Sequence, residues 1–304
     1  MIGFDWGTTS ARAYRLDAAG TVLAERHAPL GIQHVRDGAF AAAFGALQGD
    51  WAQDPAPRLA CGMIGSRQGW QEAPYVECPA PLDALAAKLV RTAGGALAIV
   101  PGVCDRDGQG VPDVMRGEET QILGALPDDA PATLVVLPGT HSKWAIAGGG
   151  RIDAFTSYMT GEIFAVLKEH SILGRMIPAH AQAAFDEAAF ARGVRCASAP
   201  DAPRGALLHQ LFGARTLALF DRLAVNEIAD YLSGLLIGSE VAAGREWAAR
   251  RAVVPDAVML VGAPELCARY AWALREAGAD ARTGPRDAAA RGLWRIARRA
   301  GMLR

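Results

Sequence analysis

Disulfides, membrane spans and a strong charge of either sign are all missing from this chain of 304 residues. Its five cysteines, Cys61, Cys78, Cys104, Cys196 and Cys267, are odd in number, and none stands in a Cys-x-x-Cys pair. That pattern argues against both a disulfide framework and a zinc site. No apolar run reaches the ~20 residues needed to cross a bilayer. The first residues form an apolar core segment with no basic stretch and hydrophobic leader before it, so no signal peptide is expected. The expected location is therefore the cytoplasm. Lysine is scarce, the positive charge is nearly all arginine, and the net charge is −1. A nucleic-acid partner would ask for a basic footprint that this balance does not supply. The arginine-rich segment 291–304 reads as the solvated face of an amphipathic helix, with Leu293, Ile296 and Ala297 on the opposite side, and not as a membrane contact.

What the chain does have is 51% hydrophobic and 21% charged residues, the balance of a globular protein long enough for two domains. The opening segment MIGFDWGTTSAR carries the densest chemistry. Ile2 and Phe4 suit a buried strand, Asp5 sits at its mouth, and Gly7 removes the Cβ that would keep a backbone away from a phosphate. Successive N–H groups of such a turn, with Thr8 and Thr9 as further donors, make a concavity for anions. Asp5 can hold hydrated Mg²⁺ against the same phosphates. The plainer alternative is a hairpin turn whose Asp and Thr satisfy only backbone groups.

After this turn, strands are expected at 13–16 and 21–25, a helix at 37–47, a strand at 58–61 and an irregular glycine-rich loop at 62–70. A helix at 82–92 and a strand at 96–100 follow. A second three-strand meander covers 133–137, 143–147 and 151–155, then a long helical region 160–249. The chain closes with a strand at 257–261, a helix to Glu276, a strand at 280–283 and the arginine-rich helix. Laid side by side, Gly7-Thr8-Thr9-Ser10 and Gly139-Thr140-His141-Ser142 occupy the same place in two meanders, an internal duplication by pattern. The first copy carries Asp5 where the second carries Leu137 and Pro138, so only one of them can hold a metal. Near the C-terminal end, Gly262 at a strand end followed by Pro264 and Glu265 leaves backbone on which an adenosine can lie.

Two Gly-Thr hairpins and a late glycine-containing strand-to-helix junction resemble the sugar kinase, Hsp70 and actin superfamily. The runs CGMIGSRQGWQEAPY from Cys61, DVMRGEETQILG from Asp113, LPGTHSKW from Leu137, MTGEIF from Met159 and YLSGLLIGSE from Tyr231 are similar to the 2-dehydro-3-deoxygalactonokinases. The resemblance covers the whole chain. It implies an α/β fold of two duplicated actin-like (ribonuclease H-like) domains, residues 1–115 and 116–304, with a nucleotide cleft between them. It further implies ATP-dependent phosphorylation of the 6-hydroxyl of 2-dehydro-3-deoxy-D-galactonate in galactonate catabolism. ATP and Mg²⁺ would be the cofactors and a small sugar acid the partner. Two alternatives stay open: another small-sugar or sugar-acid kinase of the superfamily, or a non-catalytic actin-like nucleotide binder. The oligomeric state is open too, a homodimer included.

The resemblance gives the residues roles that their chemistry can fill. Asp5 would hold the metal; Gly7, Thr8, Thr9, Gly139, Thr140 and His141 would face the phosphates, and Gly262 and Glu265 the adenosine. Phosphoryl transfer to a hydroxyl also needs a carboxylate to orient it or take its proton. Glu118 is the candidate, because RGEETQILGAL precedes the second turn much as a Gly-Asp-Gln segment does in larger carbohydrate kinases. Glu119 is its rival, and a merely structural helix start is the alternative for both. A keto-acid substrate also needs its carboxylate bound. Arg67, between Ser66 and Gln68 in the glycine-bounded loop, offers a bidentate fork, with Arg116 as second candidate.

Overall fold

The computed structural model describes residues 1–177, 184–199, 206–253 and 257–303. Contacts divide the chain into two compact units. Unit 1 comprises Met1–Thr133, Ala145–Thr156 and Gly284–Arg304, and unit 2 comprises Leu134–Trp144 and Ser157–Thr283. The expected division at 115/116 falls between two neighbouring elements that both lie in unit 1. The C-terminal helix, expected in the second domain, is part of unit 1 as well.

In unit 1, β1 (Ile2–Trp6) is the centre of a six-stranded sheet. It is joined by β2 (Ala11–Leu16), β3 (Val22–Ala28), β4 (Arg58–Gly62), β7 (Val90–Arg91) and β8 (Ala98–Ile99), in the order β3-β2-β1-β4-β8-β7. β1 runs antiparallel to β2 and parallel to β4, so Asp5 stands level with Arg12 on one side and Cys61 on the other. Alternation along the strand sends Ile2, Phe4 and Trp6 to one face, where they pack with Phe44 and Leu47 of α1 (Phe40–Gln48) and with Trp51. The Phe4 and Phe44 rings lie 5.1 Å apart.

The opposite face, bearing Gly3 and Asp5, is covered by α9 (Ala288–Arg299), and a Cβ on Gly3 would stand 2.9 Å from Leu293 Cδ1. As expected, Leu293, Ile296 and Ala297 are its buried stripe. Its arginines are more than a solvated face. Arg299 pairs with Asp83, and Arg295 pairs with Asp128 and caps the Leu123 and Leu126 carbonyls.

Between these elements unit 1 also holds β5 (Tyr75–Glu77), β6 (Ala80–Pro81), α2 (Leu82–Ala87), β9 (Gly102–Arg106), β10 (Pro112–Met115) and α3 (Glu118–Ala125). β10, β9 and β5 make a second small sheet in that order. Helix α3 touches α9 without side chains between them: a Cβ on Gly292 would lie 1.9 Å from the Thr120 carbonyl oxygen. Gly292→Ala must therefore push the two helices apart, at an expected cost of about 1–3 kcal/mol. A thermal melt should register this as a drop of several degrees.

Two sequence expectations need correction here. The helix expected over 82–92 ends at Ala87, because Val90 and Arg91 pair with Ile99 and Ala98 as β7. α1 starts at Phe40 and not at 37, since Asp37 (φ 52°) and Gly38 (φ 68°) are left-handed and cannot begin an α-helix.

Unit 2 takes its sheet from β11 (Thr133–Leu137), with β12 (Ser142–Gly148) and β13 (Arg151–Tyr158) following in sequence and crossing the unit boundaries. Its helices are α4 (Thr160–His170), α5 (Glu187–Ala197), α6 (Leu207–Leu219), α7 (Ile228–Ala249) and α8 (Pro264–Glu276), with β14 (Ala257–Leu260) and β15 (Asp280–Thr283) near the end. β14 runs parallel to both β11 and β15. α5 and α7 cross at glycines: a Cβ on Gly193 would meet the Tyr231 carbonyl at 2.1 Å, and one on Gly234 the Phe190 carbonyl at 2.0 Å. The glycines of the YLSGLLIGSE run are thus a helix-packing requirement.

Candidate active site

Three acids converge in unit 1 because two glycines turn the chain where other residues could not. Gly62 ends β4 with φ 91°, and a Cβ there would lie 2.5 Å from the Trp6 carbonyl oxygen. Gly117, with φ 111°, precedes α3 and would bring its own Cβ within 3.2 Å of Gly62 Cα. Only glycine tolerates this back-to-back approach, which sets the first turn of α3 against the end of β1. Asp5 is pushed up to about 6, first by burial and then by the nearby Glu118 charge, with Arg12 pulling the other way. Its Oδ1 accepts a hydrogen bond from the weak Cys61 thiol, at 3.8 Å.

The neighbours Glu118 and Glu119 meet different surroundings. Glu118 is part-exposed, and its Oε2 accepts the Arg116 backbone N–H at 3.0 Å. Among the described residues its Oε1 takes no hydrogen bond. Glu119 is fully buried, with Oε2 accepting the Gly117 N–H at 2.6 Å and Oε1 the Thr120 hydroxyl at 2.8 Å. Burial pushes it up to about 8.

This shift makes a prediction with a definite sign. The folded protein keeps a proton on Glu119 that the unfolded chain loses near its ordinary value of 4.5. Folding stability should therefore fall as pH rises from about 4.5 and level off above about 8. Glu119→Gln, which mimics the protonated carboxyl, should flatten the difference in Tm between pH 5 and pH 8 by several degrees. A variant as pH-sensitive as the parent would remove Glu119 as the cause.

The first Gly-Thr turn is closed by the Gly7 N–H donating to the Ser10 carbonyl at 2.9 Å. A strap at 31–33 braces it from behind: the N–H groups of Gly31, Ile32 and Gln33 donate to the carbonyls of Thr9, Gly7 and Thr8. Gly31 has no alternative there, since a Cβ would stand 2.2 Å from the Thr9 carbonyl carbon. With those carbonyls engaged, Thr8 and Thr9 remain exposed at the tip.

The second turn, in unit 2, is held by a deeper network. Ser142 Oγ and Tyr270 OH lie 2.9 Å apart, Tyr270 OH donates to Glu240 Oε2 at 2.6 Å, and Trp144 Nε1 donates to Glu240 Oε1 at 2.7 Å. Burial raises the Glu240 carboxyl, and Gly244 leaves room for the Trp144 ring. On the outer side the Glu162 N–H donates to the Thr140 carbonyl at 3.0 Å, and His141 Nε2 bonds the Glu162 carboxylate. A Cβ on Gly161 would lie 2.4 Å from the Gly139 carbonyl oxygen, so α4 begins directly on the turn. Lys143 is buried next to it, and among the described residues it makes no hydrogen bond or ion pair. Gly262 to Glu265 are exposed where β14 passes into α8, with Pro264 opening the helix.

The loop at 62–70 folds back on itself, with the Gly69 and Trp70 N–H groups donating to Ser66 and Ile64 carbonyls. Trp70 anchors it by packing on Phe44 at 5.5 Å. Arg67 stands at the tip, its side chain 84% exposed, and is 3.6 Å from Glu72; Gln68 is exposed beside it. Ser66 and Arg116 lie beneath, both buried. Arg116 rests on the Tyr75 ring at 4.5 Å and donates through Nη2 to the Ala73 carbonyl at 2.8 Å.

A family model described as 2-keto-3-deoxy-galactonokinase matches residues 5–296. The chain belongs to the 2-keto-3-deoxy-galactonokinase family. It is 36% identical to the 2-dehydro-3-deoxygalactonokinase of Escherichia coli (strain K12), over 92% of this chain and 90% of that one. A crystal structure of a Sinorhizobium meliloti protein provisionally named for the same activity superimposes with a TM-score of 0.85, at 35% identity and 98% coverage of both chains. A xylulose kinase from Lactobacillus acidophilus shares the fold, with a TM-score of 0.52 at 10% identity, over 100% of this chain and 89% of that one. The two-domain α/β architecture of sugar kinases, expected from the Gly-Thr turns, is the architecture of this 2-keto-3-deoxy-galactonokinase family member.

Three features around the candidate residues were not legible in the sequence: the strap at 31–33 and the burial of Glu119 in unit 1, and the Glu240–Tyr270 support in unit 2. Only the burial of Glu119 had a local signal, since Glu119, Ile122 and Leu123 share a helical face. A divalent cation fits the Asp5 corner, because a buried carboxylate there lies near a second one, Glu118, with Arg12 and the weak Cys61 thiol offsetting them only in part. Among the described residues no cluster of three or more His, Cys, Asp or Glu could cage a metal. Mg²⁺ needs no such cage, since it commonly binds through one or two carboxylates plus phosphate oxygens.

Proposed function

We propose that the protein transfers the γ-phosphoryl group of ATP to the 6-hydroxyl of 2-dehydro-3-deoxy-D-galactonate, yielding the 6-phosphate ester and ADP. Membership of the 2-keto-3-deoxy-galactonokinase family across residues 5–296 carries this reading. It is a kinase acting in galactonate catabolism, and it works where ATP is, in the cytoplasm. Among the described residues no helix is long and apolar enough to cross a membrane.

Each group in the reading has a task that its surroundings support. Asp5 holds Mg²⁺, which when bound neutralises phosphate charge. Gly7, Thr8 and Thr9 of unit 1 and Gly139, Thr140 and His141 of unit 2 serve the phosphates, and Gly262 and Glu265 the adenosine. Glu118 accepts the proton of the 6-hydroxyl as its oxygen bonds to the γ-phosphorus and the bond to the β-phosphate oxygen breaks. Its free Oε1 supports that role, whereas both Glu119 oxygens are committed to the turn that presents Glu118. The sugar acid is received by Ser66, Arg67, Gln68 and Arg116.

A coupled ADP-release assay over 2-keto-3-deoxy sugar acids and neutral hexoses tests the reading. Release should be fastest with the galactonate derivative and negligible with neutral sugars. Preference for a neutral hexose would move the protein to another sugar-kinase activity.

A further inference from the structure

Arg116 and Ser66 are two buried residues whose donors are mostly unmatched among the described residues. Arg116 is 9% exposed and Ser66 7%, yet among the described residues Nε and Nη1 of the arginine and Oγ of the serine have no hydrogen-bond partner. Three guanidinium N–H groups are thereby left unmatched, with only Nη2 bonded, to the Ala73 carbonyl. Among the described residues no carboxylate lies within ion-pair distance of this guanidinium. Glu118, two residues on, accepts the Arg116 backbone N–H instead. Burying a charge without an anion costs several kcal/mol, and a guanidinium does not escape by losing its proton. The position is nonetheless built. Tyr75 supports one face of the guanidinium, itself packed where a Cβ on Gly102 would come within 2.6 Å of its ring. A Cβ on Gly65 would lie 3.0 Å from Nη1, so glycine keeps that approach open immediately before Ser66.

Arg67 contrasts on every count. It is exposed, it already faces Glu72, and a solvent-screened arginine contributes little to holding an anion.

Taking the kinase reading as its basis, we infer that Arg116, with the Ser66 hydroxyl, binds the substrate carboxylate, and that Arg67 is peripheral to it. The keto acid supplies the missing anion. One anchored end then leaves the rest of the six-carbon chain to run toward Glu118 on the same segment. A nucleotide phosphate shares this anionic chemistry, so the test separates the two.

Arg116→Met keeps length and apolar contact with Tyr75 while removing the charge. Its KM for the keto acid should rise about 30-fold or more, the equivalent of at least ~2 kcal/mol. Its KM for ATP should stay within threefold and its Tm should not fall, because an unmatched buried charge has gone. A structural role alone would lower Tm without this selective rise in KM. Ser66→Ala, the conservative variant if Arg116→Met does not fold, should raise the keto-acid KM about three- to tenfold.

A larger keto-acid effect from Arg67→Ala than from Arg116→Met overturns the inference. So does a rise confined to the KM for ATP, or an unchanged keto-acid KM in Ser66→Ala. If the parent protein releases no ADP with any keto acid, the kinase reading itself has failed. If the parent is active and the variants keep its KM, only the inference has.

Discussion

Asp5→Asn is expected to lower kcat about a thousandfold or more, with a folding transition unchanged or moved to higher temperature. The reason lies in the cost of the native carboxylate. Burial and the Glu118 charge, against the pull of Arg12, hold its pKa near 6, and the hydrogen bond it takes, from the Cys61 thiol at 3.8 Å, is weak. Removing that charge relieves repulsion in the folded state, so stability should not suffer. Activity should, because the anchor for the cation is lost, and electrostatic stabilisation of that kind is worth several kcal/mol in the transition state. The same pKa of the free carboxyl predicts that a proton competes with the cation, so the Mg²⁺ concentration needed for half-maximal turnover should rise as pH drops through about 6. Thermal melts and Mg²⁺-dependent turnover, measured together, separate the two effects. Turnover within tenfold of the parent would remove Asp5 from the metal site.

Glu118→Gln should produce the second large effect, a fall in kcat of about 10²–10⁴-fold with KM changed only a few-fold. A proton acceptor acts chiefly in the transition state, so its loss appears in kcat. Glu119→Gln should keep kcat within tenfold, because that side chain is fully buried and spends both oxygens on Gly117 and Thr120. Steady-state kinetics of the pair decide the matter. If Glu119→Gln loses turnover and Glu118→Gln retains it, the base is the buried residue, and Glu118 is a helix-start acid.

The two Gly-Thr turns could be read from sequence because their determinants are local. Gly7 with Thr8 and Thr9, and Gly139 with Thr140, mark sharp turns by composition alone, and Pro264 marks the start of α8. The strand 280–283 and the helix ending at Glu276 were equally readable, bounded by Gly278 and Gly284. What stayed hidden depends on contacts across long separations. The docking of α9 on β1 rests on Gly3 meeting Leu293, and its packing on α3 rests on Gly292 meeting Thr120. No periodicity within one segment announces either contact.

The loop at 62–70 shows the same limit from another side. Flanking glycines suggested that Arg67 was held inward, but Gly69 serves a tight fold-back on Ile64, and this leaves Arg67 at an exposed tip. Arg116 was legible only as the second candidate for the carboxylate. Its burial arises from Tyr75, Ala73 and Gly65, all more than forty residues earlier. Ser142 likewise gives no hint of Glu240, which it reaches through Tyr270.

Phosphorus NMR of the reaction product tests the central claim most directly. With ATP, Mg²⁺ and 2-dehydro-3-deoxy-D-galactonate, the account predicts a new phosphomonoester signal split into a triplet by the two protons on C6, growing in step with ADP. A doublet would place the phosphate on a secondary hydroxyl and contradict the assigned position. Inorganic phosphate and ADP with no ester would contradict the kinase reading as a whole.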